Sequence, residues 1–174
     1  MWGNVKENAN QNANAVAEHL RAWNPRAVSE VIESRGETTI VVPRNVLREV
    51  AAKCRQELKF ELLSGATCTD KYPVEPRFEM SYHLVSIANK SKVRLRVKLA
   101  GDDPTVDSLV PVWPGANWLE REIFDLMGIR FNGHPDLRRI LLPDDWEGHP
   151  LRKDYPVEGY RDIPATALRY TRGS

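Results

Sequence analysis

The chain has 174 residues, 41% of them hydrophobic and 28% charged, with a net charge of +1. That length suits one domain with a buried core and some appendage, and the even charge balance implies neither a nucleic-acid-binding surface nor an acidic tail. No apolar run approaches the roughly 18 residues of a membrane span, and two cysteines, Cys54 and Cys68, are too few for an iron–sulfur cluster and lack CxxC spacing.

The first twelve residues are Asn-rich and carry Glu7 but no Arg. They read as a disordered lead-in, neither a signal peptide nor an Arg-rich presequence. Asn12 or Asn14 can cap a short helix with Val16, Leu20 and Trp23 on one face, and Pro25 follows its end. Ala27–Glu33 and Thr38–Val42 are β-prone runs around Ser34-Arg35-Gly36-Glu37, a hairpin. Pro43 suits the first turn of a second helix, in which Val46, Leu47, Val50, Ala51, Cys54 and Leu58 keep the i, i+3, i+4 spacing of a half-buried face. Strands follow around Phe60–Asp70 and Phe78–Ile87. A third alternates Val93, Leu95, Val97 and Leu99 with Arg94, Arg96 and Lys98, after a turn at Asn89-Lys90-Ser91-Lys92. The cations Lys92, Arg94, Arg96 and Lys98 share one strand face: a docking stripe for an acidic partner, or a solvated outer face.

Asn117 reads as an N-cap and Glu120 as its capping-box partner, opening a helix to Met127 with Gly128 at its left-handed C-cap. Leu119, Ile123, Leu126 and Met127 form its apolar stripe, and Arg121 and Asp125 an (i, i+4) pair opposite. The order α-β-β-α-β-β-β-α predicts an α+β domain over residues 13–128, with helices on one face of a mostly antiparallel sheet. Periodicity stops at Ile129. Residues 129–174 hold five prolines in 46 residues, yet also Ile129, Phe131, Leu137, Ile140, Leu141, Leu142, Trp146, Leu151 and Tyr155. An extended, apolar, Pro-fixed arm lies against something larger. Glu120 through Asp154 is dense in mixed charge that suits Arg–carboxylate pairs across or within an interface; Arg138-Arg139 and Arg152-Lys153 are its candidate cationic anchors, with the partners of Arg138 and Arg152 placed on a neighbouring subunit.

Glu120, Glu122, Asp125, His134, Asp136 and His149 are residue types a metal hydrolase would use. Their spacing opposes it. Glu120 and Glu122 lie about 200° apart on a helix, no His follows Glu122 or Asp125 as in HExxH or ExxH, and His134 and His149 each precede a proline, which holds them extended. No phosphate-binding loop or nucleophile elbow is present. The residues therefore suggest no catalysis by the chain alone.

The run from Glu120 to Pro156 resembles the signature of the thirty-kilodalton subunit (the C subunit) of complex I. Its marks are Glu120-Arg121-Glu122, Asp125, Leu126-Met127, His134, Arg138 and Ile140-Leu141, then the block Gly148-His149-Pro150-Leu151-Arg152-Lys153-Asp154. Tyr82-His83-Leu84 and Val110–Trp113 match more loosely. The resemblance implies a peripheral-arm subunit of a proton-translocating NADH:quinone oxidoreductase that itself binds no flavin, iron–sulfur cluster or quinone and no metal. FMN, iron–sulfur clusters and quinone belong to the assembly. Its partners would be the large quinone-site subunit and the small cluster-bearing subunit, with no nucleic acid, on the cytoplasmic side of a bacterial inner membrane reached only through those partners. Ending at Ser174, it resembles the unfused form. A ferredoxin-linked or hydrogenase-type relative is the alternative; plastid-type proteins read Gly-Trp-Pro-Leu-Arg-Lys where this chain has His149, which favours the NADH-linked form.

Overall fold

The computed structural model describes residues 14–159; the lead-in expected at residues 1–12 and the arm from 160 to 174 lie outside them. Residues 14–23 form helix α1, whose Val16 and Leu20 are buried while Trp23 stands at the rim with the Lys53 ammonium 5.2 Å from its ring. Asn14 lies within the helix and bonds Glu33 rather than capping. Strands β1 (Glu30–Ser34) and β2 (Glu37–Val41) pair antiparallel with Ser34 opposite Glu37. Arg35 and Gly36 both have positive φ, the two-residue turn whose twist matches the strands it joins.

Pro43 does not enter the second helix; it precedes a 3-10 turn, Arg44–Val46, that leads into α2 (Leu47–Gln56). Leu47, Val50, Ala51 and Cys54 of α2 are buried, as their spacing requires. Strands β3 (Leu62–Asp70), β4 (Phe78–Ser86) and β5 (Ser91–Leu99) form a meander. The last turn occupies Ile87–Lys90, with Ser86 opposite Ser91, two residues earlier than the expected one. The sheet order is β1-β2-β5-β4-β3, antiparallel at every pairing but one, since β2 runs parallel to β5.

Val93, Leu95, Val97 and Leu99 face the core, in one cluster with Leu20 of α1, Val50 of α2 and the third long helix, so the helices share one side of the sheet. Two short strands absent from the expected order complete the fold. β6 (Thr105–Asp107) pairs parallel with β7 (Arg130–Asn132), and α3 (Ala116–Met127) is the connection between them. Ile129 and Phe131 are therefore core residues, not the start of an outlying arm. Three-residue strands carry no periodicity long enough to detect. Arg48 of α2 ties this pair down, donating to the carbonyls of Ser108 and Asn132.

Candidate functional site

The capping box at the start of α3 is not formed. Gly115 is the N-cap and Asn117 lies inside the helix. Glu120 is wholly buried and turns instead to the preceding loop: one oxygen accepts from the Ser108 hydroxyl at 2.7 Å, the other from the Leu109 amide at 2.6 Å. Burial pushes its carboxyl up to about 7, against the pull of those two donors. These bonds win because Ser108 and Leu109 are themselves fully buried and offer donors where water cannot enter.

Gly128 ends α3 with φ +73, as expected. It is also a close approach, because a Cβ there would lie 2.5 Å from His149 Cδ2. His149 Nδ1 hydrogen-bonds the Asp125 carbonyl at 2.8 Å, and its ring meets Phe124 edge-on.

Arg121 and Asp125 do not pair with each other across a solvated face. Both are buried, and each takes hold of the segment that crosses that face. Arg121 donates to the carbonyls of Arg138 and Arg139, with Trp118 stacked beneath its guanidinium. One turn along, Asp125 Oδ2 accepts from three successive amides, Ile140, Leu141 and Leu142, at 2.8–3.0 Å. Its other oxygen takes Arg139 Nη1 at 2.6 Å. Burial acts to raise the Asp125 carboxyl, but the donors from Leu142, Arg139, Leu141 and Ile140 hold it below the ordinary range. Arg139 continues to the carbonyls of Trp146 and Gly148. A helical pair one turn apart thus reads the carbonyls and then the amides of one irregular strand of chain, replacing the ladder that strand lacks.

A second clasp holds the far end. Asp70, at the end of β3, accepts two bonds from Arg77 and one each from the Tyr72 and Lys153 amides. Burial opposes them, yet they hold its carboxyl at about 2. Arg77 is shared with Asp154 through two bonds of 2.6 and 2.8 Å, and its guanidinium lies 4.9 Å from the Tyr72 ring and 4.8 Å from the Phe78 ring. Arg152 Nε donates to the Met127 carbonyl at the end of α3, and its guanidinium lies 5.2 Å from the Phe78 ring. Asp70 and Arg77 escaped the sequence reading; their only signal is a charged pair closing a proline-rich loop.

The signature residues are therefore brought together in part. Asp125, Arg139, His149, Arg121 and the backbone of Arg138 form one cluster, while Arg152, Lys153 and Asp154 form the clasp with Asp70 and Arg77. The expectation that Arg152 reaches for a neighbour is corrected, because the segment folds onto this domain and the Met127 carbonyl of α3 takes its Nε; Arg139 likewise finds its acceptors within the chain. Arg138 alone among these arginines points outward, 70% exposed beside Asp136. His134 bonds the Asn117 carbonyl and accepts from the Asp136 amide, and Glu122 is exposed.

Glu122, Asp125 and His134 do not converge as a hydrolase would need, since both Asp125 oxygens are filled by N–H donors. Among the described residues, no group of three or more His, Cys, Asp or Glu side chains could hold a metal ion. Cys54 and Cys68 are free, and burial pushes both thiols up to about 12, far from a reactive thiolate. No helix among the described residues is long and apolar enough to cross a membrane.

A family model described as respiratory-chain NADH dehydrogenase, 30 Kd subunit, matches residues 40–161. The C subunit of the NADH-quinone oxidoreductase of Geotalea uraniireducens is 44% identical over 140 residues, 80% of this chain and 85% of its own. That of a Roseiflexus species is 47% identical over 144 residues, 82% of this chain and 83% of its own. The solved structure of a trypsin-resistant fragment of Nqo5 has a TM-score of 0.63 at 32% identity, over 72% of this chain and 99% of the fragment. A chain of an archaeal membrane-bound sulfane sulfur reductase shares the fold, with a TM-score of 0.69 at 23% identity over 83% of this chain and 85% of that one. The chain belongs to the family of the respiratory-chain NADH dehydrogenase 30 kDa subunit.

Proposed function

We propose that this chain is a non-catalytic scaffold in the peripheral arm of a proton-translocating NADH:quinone oxidoreductase. It docks the large quinone-site subunit and the small cluster-bearing subunit, binds no FMN, cluster or quinone itself, and meets the cytoplasmic face of the membrane only through them. One observation carries the reading. The buried charges of the family signature are used up in shaping residues 138–154, and the shaped segment leaves large apolar side chains outward. Leu141 is 62% exposed and Leu151 58%, and Trp118 on α3 is exposed to 62% as well. Large apolar side chains held outward by a hydrogen-bonded backbone suit a permanent protein interface rather than a free surface.

Purification of a tagged chain from its host membrane tests this. Recovery with a cluster-bearing subunit and membrane subunits is expected, and Leu141→Glu with Leu151→Glu should abolish it while the chain stays folded. Recovery of the wild-type chain alone would overturn the proposal.

A further inference from the structure

The sheet side opposite the helices carries its own chemistry. Lys90, Lys92, Arg94, Arg96 and Lys98 lie on or beside it, with Lys71 at one end, against Glu30, Glu37 and Glu79. Each acid is already engaged: Glu37 with Arg94 at 2.5 Å, Glu79 with Lys71 at 2.7 Å, and Glu30 at 4.0 Å from Lys98. Lys90 and Lys92 take part in no ion pair among the described residues. Arg96 Nε is buried without a hydrogen-bond acceptor, its nearest carboxylate oxygen 3.9 Å away. The positive charge on this side is therefore in excess, and one guanidinium donor is left over.

Part of this side is hollow. A cleft of about 560 Å³ lies over His83, Val85 and Arg94, with the Gly36 turn on one rim, Ser64–Gly65 on the other and Lys90 and Lys92 at one end. A Cβ at Gly36 or Gly65 would meet nothing within 4 Å, so both rims are open to an approaching backbone. From β2 across β5 and β4 to β3 is three strand spacings, about 14 Å, wide enough for one extended chain with its side chains. Beside the cleft, Leu62 is opposite Val85 in register and Ile87 follows two residues on; Leu62 and Ile87 are both exposed large apolar side chains.

We propose that this cleft receives an acidic segment of a neighbouring polypeptide, its carboxylates on Lys90, Lys92 and Arg94 and an aliphatic side chain on Leu62 and Ile87. The charges supply steering and register, and the apolar pair supplies burial. The partner belongs to the assembly proposed above, but this side lies across the sheet from the helix α3 and so adds a second, separate contact surface.

Photo-crosslinking in the assembled complex tests it, with the crosslinking residue placed at Ser64 on the cleft rim and, as a reference, at the exposed Leu141. The expected Ser64 product is a peptide of another subunit rich in Asp and Glu. Its yield should fall about fivefold or more with Lys90→Glu/Lys92→Glu, or on raising salt from about 0.05 to about 0.5 M, while the Leu141 product is unchanged. A Ser64 link to a neutral or basic stretch, to lipid, to nucleic acid or to this same chain overturns the proposal. So does a salt-independent link, or no Ser64 link where Leu141 links normally. An acidic Ser64 partner without any Leu141 partner would uphold the cleft and overturn the scaffold reading; loss of both links overturns both.

Discussion

Asp125→Ala removes one carboxylate that answers four donors, and the size of the effect follows from what each donor does next. Breaking a buried ion pair by deleting one partner costs about 3–5 kcal/mol, because the other charge is stranded. Arg139 keeps the Trp146 and Gly148 carbonyls, so its charge is not wholly stranded. The amides of Ile140, Leu141 and Leu142 sit on an exposed or half-buried segment, where water replaces the lost acceptor. Both facts place the loss at the lower end, about 3 kcal/mol. For a domain of this size that lowers the melting temperature by about 6–12 °C. Asp125→Asn, which keeps an oxygen but no charge, should fall about halfway. Adding Arg139→Met to Asp125→Ala should recover part of the loss, since it removes the stranded cation. Thermal denaturation by circular dichroism reads all three, and limited proteolysis should show new cleavage between Arg138 and Gly148. A shift under about 2 °C for Asp125→Ala, with no new cleavage, would refute the account of this carboxylate as the organiser of the segment.

Glu120 gives the opposite pH signature to Asp70. Its folded pKa is raised, so its neutral form favours folding; stability should be greatest below pH 4.5 from this group and decline as pH rises to about 7. Glu120→Gln should flatten that decline in melts taken from pH 5 to 8, and an unchanged slope would count against it. Asp70, held at about 2, contributes stability above the ordinary carboxylate range that is lost as pH falls toward 2; Asp70→Asn should weaken the acid dependence in the same melts. Arg77→Met should strand the buried Asp70 carboxylate and free the end of the segment, giving faster proteolysis after Arg152 or Lys153 and a fall in melting temperature at least as large as for Asp125→Ala. Truncation before Arg130 should unfold the chain, since it removes Phe131 and β7 from the core, whereas truncation after Asn132 should leave a cooperative though weakened fold; equal melts for the two would refute the distinction.

What was readable in the residues was the local part of the structure. The hairpin at Arg35-Gly36, the alternation of Val93 to Leu99 and the end of α3 at Gly128 each follow from side chains a few positions apart. The parallel pairing of β2 with β5 does not, because strand chemistry marks which face is buried and not which neighbour is chosen. The same limit governs the site. Glu120 looked like a capping residue because its true donors, Ser108 and Leu109, precede the helix by a turn of loop that has no pattern. The dense charge of 120–154 was legible as pairing, and its apolar content as packing. That the partners of Arg139, Arg152 and Asp154 lie in the same chain was not, since Arg77 and Asp154 meet across 77 positions.

The sheet order also sets a timetable. Because the β1–β2 hairpin joins at β5 rather than at β3, its inner edge has no partner until residues 91–99 have left the ribosome. For the intervening fifty or so residues it is a two-stranded ribbon, too small to be stable alone in water. β5 is thus the strand on which both halves of the sheet close, and a nascent chain stalled before Ser91 should bind chaperone while one extended past Asn132, with β7 and Phe131 in place, should not.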